Sequence, residues 1–359
     1  MRVNFIDNLR WIFVCLLFPY HTFMVYNNFG ESFYVKGVGV QSTTYFIMAL
    51  WPWFMPLLFL IAGISSSYAL KKRTPEEYIN ERVSKLLIPL IFGVLLLVPI
   101  QTYFAEVFHN AYSGGYFNQY ILFFTKVTDL TGYNGGFSPA HLWFILYLFI
   151  ISIISLPIMI RYQKSEKATS INNISLPILL LFFAIPLFSQ IILDIGGKSV
   201  GEYLAYFLFG YFLISSIEIQ EKLEKNRLRL LFLTMICIFI YAFAGETIEM
   251  SSAVAFEIFY HFYAWVSVLT IIGFGKRYLE FKNKISSYLS EASFSIYFLH
   301  QQWIVIVGYF ILKWIQNVPL QMILIILGSA LFTFLNYEIF RRFSITRFMF
   351  GIKSKNAKT

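Results

Sequence analysis

Long apolar runs alternate along the chain with short polar segments that hold almost all of its charge. Runs of about 18 or more apolar residues are typical of α-helices that cross the hydrocarbon core of a bilayer. With boundaries good to a few residues, such segments fall at about 11–28, 45–70, 86–105, 139–160, 174–193, 203–217, 228–244, 252–273, 286–311 and 320–340. The pattern predicts an all-α, polytopic transmembrane helix bundle of about ten spans.

Charge adds an orientation to this picture. Only 13% of the residues are charged, and the net charge is +9. Of the 28 lysines and arginines, 24 fall in one alternating set of polar segments, and the other set holds only Lys36, Lys126, Lys198 and Lys313. Basic segments mark the cytoplasmic side of a membrane protein. We therefore expect a multi-pass protein of the cell membrane with both termini in the cytoplasm, and no nucleic-acid partner.

No linker divides the chain, so the sequence predicts one membrane domain over 1–345 and a basic cytoplasmic tail over 346–359. Cys15 and Cys237 each lie inside an apolar run, which excludes a CxxC metal or redox motif. The longest segment between spans, at about 106–138, is either an ordered outer lid or interfacial segment, or an ordinary connecting loop.

The first span carries ionisable residues on one side. Arg10 and His21 are eleven residues apart, which places His21 within about 20° of Arg10 and about 16 Å further along a helix. Asp7 lies one turn before Arg10 on the same stripe. Because ionisable groups are costly against lipid, this stripe should face the bundle interior. Arg10 alone is explained as a cytoplasmic anchor, but His21 in mid-membrane points to a functional site.

A second polar stripe lies in span nine. Ser286, Ser290, Ser293, Tyr297 and His300 follow a three-to-four spacing along one helix face. Serines at this spacing mainly let helices pack closely. His300 is either a catalytic neighbour or a buried structural donor.

A third histidine, His141, follows a helix-start signal. Ser138 suits an N-cap and Pro139 suits the first helical turn, which places His141 at the outer mouth. His109 and His261 have no comparable setting, and we expect ordinary roles for them.

Other classes of site are weakly signalled. The chain has no P-loop, no GxSxG elbow and no HExxH motif. A metal site built from His21, His141 and His300 is disfavoured because no acidic residues accompany them in the sequence. We therefore predict no metal.

With these residues in view, the sequence resembles the acyltransferase-3 family of bacterial integral membrane acyltransferases, particularly its glucan-modifying branch. The matching elements, in family order, are Asp7-x-x-Arg10 with His21, Phe59-Leu60-Ile61-Ala62-Gly63, Arg82-x-x-Lys85-Leu86-x-x-Pro89, His141-Leu142-Trp143-Phe144 and Ser293-Phe294-Ser295-Ile296-Tyr297-Phe298-Leu299-His300. Ile64 and Phe294 depart from the family pattern, and neither touches the Arg10 to His21 pair.

The resemblance implies an acyltransferase that transfers groups other than amino-acyl groups. Its donor would be a cytoplasmic acyl-CoA, by default acetyl-CoA, acting as a co-substrate with no bound cofactor. Its acceptor would be a hydroxyl of an envelope glycan or of a lipid-linked molecule, as in O-acetylation of a polysaccharide.

The resemblance also implies roles for individual residues. His21 would be the general base, Arg10 would anchor the donor or polarise its carbonyl, and His300 would assist catalysis. Donor binding would involve Arg10, Arg82, Lys85 and Tyr297, and acceptor binding would involve Asp7, His141, Trp143 and Ser293.

Two other functions fit a polytopic protein with buried polar residues. One is a transporter or flippase of a glycan or lipid intermediate, which would move its substrate without any coenzyme A thioester. The other is a structural partner within an envelope-synthesis complex, in which loss of His21 would change nothing.

Overall fold

The computed structural model describes residues 4–30, 32–126, 131–164 and 174–352, without the side chains of 244–250. Helices dominate these residues, and an isolated β-bridge pairs Asp194 with Ser199. The helices are α1 (Asn4–Met24), α2 (Gln41–Leu70), α3 (Pro75–Arg82), α4 (Ile88–Leu96), α5 (Val98–His109), α6 (Tyr116–Thr125), α7 (Trp143–Ile154), α8 (Leu156–Gln163), α9 (Leu176–Leu181), α10 (Ala184–Ser189), α11 (Val200–Phe209), α12 (Ile217–Lys225), α13 (Arg227–Ser251), α14 (Ala253–Tyr278), α15 (Lys284–Trp314), α16 (Val318–Phe340) and α17 (Ser344–Met349). The predicted all-α class is confirmed.

Several of these helices have the length and composition of membrane spans. In the described part of the chain, five helical stretches qualify: Gln41–Leu70, Pro75–His109, Ala253–Tyr278, Lys284–Trp314 and Val318–Phe340. The count rises to seven if two bent pairs, Ala140–Ile154 with Leu156–Gln163 and Val200–Ile214 with Ile217–Lys225, each form one span. The protein is thus a multi-pass helical membrane protein by these criteria, whereas ten spans and cytoplasmic termini stay predictions.

Helix α16 shows how the chain adapts to lipid. Its buried residues recur every four positions and are largely polar: Gln321, Ile325, Ser329, Thr333 and Tyr337. Its exposed residues are apolar and recur at a similar interval: Leu327, Leu331, Leu335 and Ile339. A water-soluble helix would place these two sets the other way round. The reversal is what a helix needs when its outer face meets acyl chains and its inner face meets protein.

The chain divides into two compact units. Unit 1 comprises Met1–Arg10, Met48–Asn80 and Ile150–Ser286, and unit 2 comprises Trp11–Ile47, Glu81–Phe149 and Ser287–Thr359. One membrane domain over 1–345 and a tail over 346–359 stay predictions. Helix α17 runs across that boundary, and 353–359 lie outside the described residues.

Unit 1 contains a close helix crossing that requires glycine. A Cβ added to Gly63 of α2 would lie 1.9 Å from the carbonyl oxygen of Phe207, and one added to Gly210 would lie 2.0 Å from that of Leu60. Gly210 begins a π-helical turn, Gly210–Ile214, that follows α11. The two backbones therefore touch at reciprocal glycines, as small residues allow in membrane helices. This packing explains the glycine of the Phe59–Gly63 motif.

Unit 2 holds the segment between α5 and α7 in an ordered arrangement. Glu106 at the end of α5 accepts hydrogen bonds from Lys126 at 2.7 Å and from Asn110 at 2.6 Å. Lys126 and Asn110 both also donate to the carbonyl of Asn134. Gly135, with φ of +86°, passes so close to Glu106 that a Cβ would collide with its carboxylate. The described part of 106–138 is therefore packed onto α5, which is the arrangement expected of an ordered segment.

Candidate active site

Three histidines from three separate elements of unit 2 form one cluster. His21 comes from α1, His300 from α15, and His141 from a 3-10 turn, Ala140–Leu142, that precedes α7. The ring centroid of His300 lies 5.2 Å from that of His21 and 5.3 Å from that of His141. His300 thus stands between the other two. The structure brings together three residues that the sequence singled out separately.

Hydrogen bonds fix which nitrogens of two of these rings carry hydrogen. Nδ1 of His300 lies 2.6 Å from the carbonyl oxygen of Tyr297 and 3.2 Å from that of Ile296. A carbonyl only accepts, so Nδ1 is the donor and Nε2 of the neutral ring holds the lone pair. This Nε2 is buried and has no hydrogen-bond partner among the described residues.

His141 has the opposite tautomer. Its Nε2 donates to the carbonyl of Phe298 at 3.2 Å, and its Nδ1 faces the amide nitrogen of Gln101 at 3.5 Å. Both nitrogens of His141 are therefore engaged by protein groups. A ring held in this way serves best to orient its neighbours.

His21 differs from the other two histidines in its accessibility. His300 is fully buried and His141 is 7% exposed, whereas His21 is only half-buried. Its Nδ1 is enclosed and, in the part of the chain that the structure describes, makes no hydrogen bond. The ring stacks on Phe33, with centroids 5.9 Å apart and planes 20° apart. His21 is thus the most accessible histidine of the cluster.

Phe33 is itself held in place by His109, for which an ordinary role was expected, and by Tyr133, which the sequence did not single out. His109 donates from Nε2 to the Phe33 carbonyl at 2.6 Å, and the ring of Tyr133 lies 5.2 Å from that of Phe33. Tyr34 next to it donates to the carbonyl of Thr131 at 2.6 Å. The loop after α1 and the loop before α7 are therefore joined beside His21. Of the residues that contact the cluster, Gln101 could have been found from the sequence because it is a lone amide in an apolar run. Nothing in the sequence marked Phe33.

The backbone before His141 is shaped by its neighbours. The hydroxyl of Ser138 accepts a hydrogen bond from the Ala140 N–H at 2.9 Å, but the N-cap of the 3-10 turn is Pro139 and not Ser138 as predicted. Ala140 has φ of +50°, a left-handed conformation that costs a non-glycine residue about 1 kcal/mol or more. Such a costly turn persists because the surrounding contacts hold it. It directs His141 towards His300.

Arg10 lies in unit 1, where Asp7 and Ser65 are among its partners. One terminal nitrogen is 3.1 Å from the carboxylate of Asp7, and the other donates to the hydroxyl of Ser65 on α2 at 2.5 Å. Ser65 in turn donates to the carbonyl of Ile61. A single continuous helix, α1, carries both Arg10 and His21. Asp7 pairs with Arg10, which fits the prediction that these two residues lie on the same face of the first span.

Tyr297, Ser293 and Trp143 lie on the helices of unit 2. The hydroxyl of Tyr297 donates to the carbonyl of His141, so this buried side chain links α15 to the turn that carries His141. Ser293 donates to the carbonyl of Ser290 on its own helix. Trp143 is half-buried and packs edge-on against Tyr147. Tyr297 is therefore well placed to support the cluster, while binding roles for all three stay predictions.

Arg82 and Lys85, which with Arg10 were expected to hold the donor, lie near the start of α4. Lys85 forms an ion pair with Glu81 one turn earlier. Arg82 is half-buried in the same segment. Because Glu81 already balances the charge of Lys85, Lys85 presents a weaker field to an anion than an isolated lysine would.

His261, for which an ordinary role was expected, is buried in unit 1 between two carboxylates. Its Nδ1 donates to the carbonyl of Glu257 at 2.9 Å, and its Nε2 lies 3.8 Å from Glu202. The sequence signal was present in the four-residue spacing of Glu257 and His261. Among the described residues, no group of three or more His, Cys, Asp or Glu has the arrangement of a metal site.

Comparison with known proteins identifies the family. The model of the acyltransferase-3 family, described as an acyltransferase domain, matches residues 3–338. This range covers nearly the whole chain and contains all five motifs, from Asp7 to His300. No curated protein and no solved structure matches the chain. The chain therefore belongs to the acyltransferase-3 family and is a membrane acyltransferase that transfers groups other than amino-acyl groups.

Proposed function

We propose that this protein transfers an acyl group, by default acetyl, from a cytoplasmic acyl-CoA to a hydroxyl of an envelope glycan or lipid-linked acceptor. The observation that carries the proposal is the setting of His21. It is a half-buried imidazole beside the buried His300, which in turn contacts His141, within a chain of the acyltransferase-3 family. A hydroxyl needs such a base because its own acidity is too low for attack at neutral pH.

In the proposed reaction, His21 removes the proton of the acceptor hydroxyl as its oxygen attacks the thioester carbonyl carbon. A C–O bond forms, the C–S bond breaks, and the proton passes from His21 to the departing coenzyme A thiolate. His300 and His141 keep the surroundings of the base ordered through their bonds to the carbonyls of Tyr297 and Phe298. Preorganised polar groups of this kind avoid the cost of reorganisation during the reaction.

Arg10 is proposed to anchor the donor or polarise its carbonyl. Asp7 and Ser65 orient its guanidinium, which fixes the direction of this planar group. Arg82 and Lys85 are proposed to hold phosphates of the same donor, and Tyr297 to help position it. Asp7, His141, Trp143 and Ser293 are proposed to contribute to acceptor binding.

The experiment uses the full chain in proteoliposomes supplied with radiolabelled acetyl-CoA and an envelope glycan extract. We expect free coenzyme A to be released in proportion to label entering the glycan, and mass spectrometry should find acetyl esters on glycan hydroxyls. A transporter or flippase would instead move glycan across the vesicle membrane with no ester formed. The proposal would be overturned if glycan moved across the membrane while no acyl-CoA was consumed, whether acetyl-CoA or one with a longer acyl chain.

A further inference from the structure

Unit 1 contains a cavity that none of the predicted site residues lines. Its volume is about 600 Å³, and it opens where the end of α2 meets α8, the π-helical turn Gly210–Ile214 and the start of α12. Its lining includes Lys71, Tyr162, Tyr211, Phe212, Ser216 and Glu218. A volume of this size falls in the range of small-molecule and cofactor sites.

One wall of the cavity is aromatic. Tyr162 packs edge-on against Phe212 with ring centroids 4.7 Å apart, and Tyr211 lies 4.9 Å from Phe212. The hydroxyl of Tyr211 donates to the carbonyl of Met159 at 3.3 Å, which restrains its ring. Restrained aromatic rings offer stacking surfaces for a flat base at small entropic cost.

Other lining residues are polar or charged. The ammonium group of Lys71 lies 5.4 Å from the ring centre of Tyr68, and the exposed Lys72 follows it in the chain. Glu218 accepts a hydrogen bond from Ser216 at 2.6 Å. Lysine groups bind phosphate, and a carboxylate accepts hydrogen bonds from ribose hydroxyls or amino groups.

Basic residues also flank the aromatic wall in sequence. Arg161 and Lys164 stand on either side of Tyr162 and Gln163, and both are exposed. Together with Lys71 and Lys72, they place four basic residues in or next in sequence to the lining of the cavity, whose one lining carboxylate among the described residues is that of Glu218. Basic side chains of this kind attract a polyanion.

We propose that this cavity binds the nucleotide end of the acyl-CoA donor. The adenine would stack on the half-buried rings of Tyr162 and Phe212, Glu218 would accept from ribose or the adenine amino group, and Lys71 would bind phosphate. The assignment rests on the proposed function for the presence of coenzyme A in the reaction. An acyl chain fits less well because it would leave Lys71 and Glu218 facing hydrocarbon without compensation. A free adenine nucleotide has the same chemistry, so the experiment separates the two sources.

The experiment is photolabelling of the purified full chain with an 8-azidoadenine derivative of coenzyme A, followed by peptide mapping. We expect label in the peptides that contain Tyr162 or Phe212, and protection by coenzyme A at lower concentration than by ATP. Lys71→Ala should raise the concentration of coenzyme A that halves labelling by about tenfold, the effect of losing one charge-assisted contact. Tyr162→Leu should raise it as well, through loss of stacking. The matched control is Lys282→Ala, which removes an exposed lysine of unit 1 outside this cavity.

Label in other peptides, or unchanged protection in both Lys71→Ala and Tyr162→Leu, would overturn the assignment. Protection by ATP but not by coenzyme A would also overturn it, in favour of a free nucleotide. Measuring acyl transfer from acetyl-CoA with the same preparation distinguishes failure of the cavity assignment from failure of the proposed function. If transfer proceeds in Lys71→Ala with an unchanged KM for acetyl-CoA, the cavity assignment fails and the acyltransferase proposal stands.

Discussion

The ring of His300 lies 5.2 Å from the ring of His21, and its Nδ1 proton is committed to the carbonyl of Tyr297 at 2.6 Å. The remaining nitrogen of the neutral His300 ring is therefore an acceptor placed beside the proposed base. This arrangement makes His300 a positioning residue for His21.

The first prediction concerns this positioning role. We expect His300→Leu to lower kcat by about tenfold or more, which is part of the contribution that general base catalysis makes. The KM for acetyl-CoA should change by less than about twofold. His300→Gln should recover part of the lost kcat because its amide can replace one polar contact of the ring. Initial rates over a range of acetyl-CoA concentrations measure both constants. A purely structural role would be indicated by equal losses in Leu and Gln variants that track the amount of folded protein.

The second prediction concerns Arg10. Its fork contacts Asp7 and Ser65 at once, which the single ammonium group of a lysine reproduces poorly. Arg10→Lys should therefore lower kcat/KM for acetyl-CoA by about tenfold or more. Ser65→Ala should raise the KM several-fold with little change in kcat, because it loosens the orientation of Arg10.

The control for these variants is Ser84→Ala, which removes an exposed hydroxyl in the segment before α4. It should leave both constants unchanged. Full activity of Arg10→Lys would show that a positive charge is enough at this position and that the fork has no role.

The third prediction tests the close crossing in unit 1. A Cβ at Gly63 or Gly210 would overlap a backbone carbonyl oxygen, so neither neighbour can yield by a rotamer change. We expect Gly63→Ala and Gly210→Ala each to destabilise the protein by about 1–3 kcal/mol, the usual cost of overpacking. Thermal unfolding in detergent, followed by intrinsic fluorescence, measures the shift. Gly115→Ala is the matched control, since its Cβ would meet no atom within 4 Å. Equal unfolding temperatures for all three variants would contradict the crossing.

Much of the fold was readable from apolar periodicity, because lipid imposes helices on any spanning segment. The sequence did not reveal where spans break. A span predicted at about 139–160 bends by 47° between α7 and α8, and Ser155 stands at that break. Helix α1 is not among the helices that are apolar enough to count as candidate membrane spans, because Asp7, Arg10 and His21 lower its mean hydropathy. The polar residues that mark the site thus also obscure the span.

The site was partly readable for a related reason. Placing a histidine in a membrane-spanning run costs free energy, so such residues usually have a function. This argument singled out His21 and His300. Their meeting with His141 depends on how helices distant in sequence pack, and one chain gives no signal of that. Phe33 was missed because an aromatic residue in a loop is common. The contact between His109 and the Phe33 carbonyl likewise depends on the folded loops.

The most direct test of the central claim is the initial rate of acetyl transfer by His21→Ala in proteoliposomes with matched amounts of inserted protein. If His21 is the general base, this rate falls by about a hundredfold or more relative to the unsubstituted protein. Cys15→Ala, a change on the same helix, should keep the full rate. A His21→Ala rate within about twofold of the unsubstituted protein would contradict the assignment of His21 as the base.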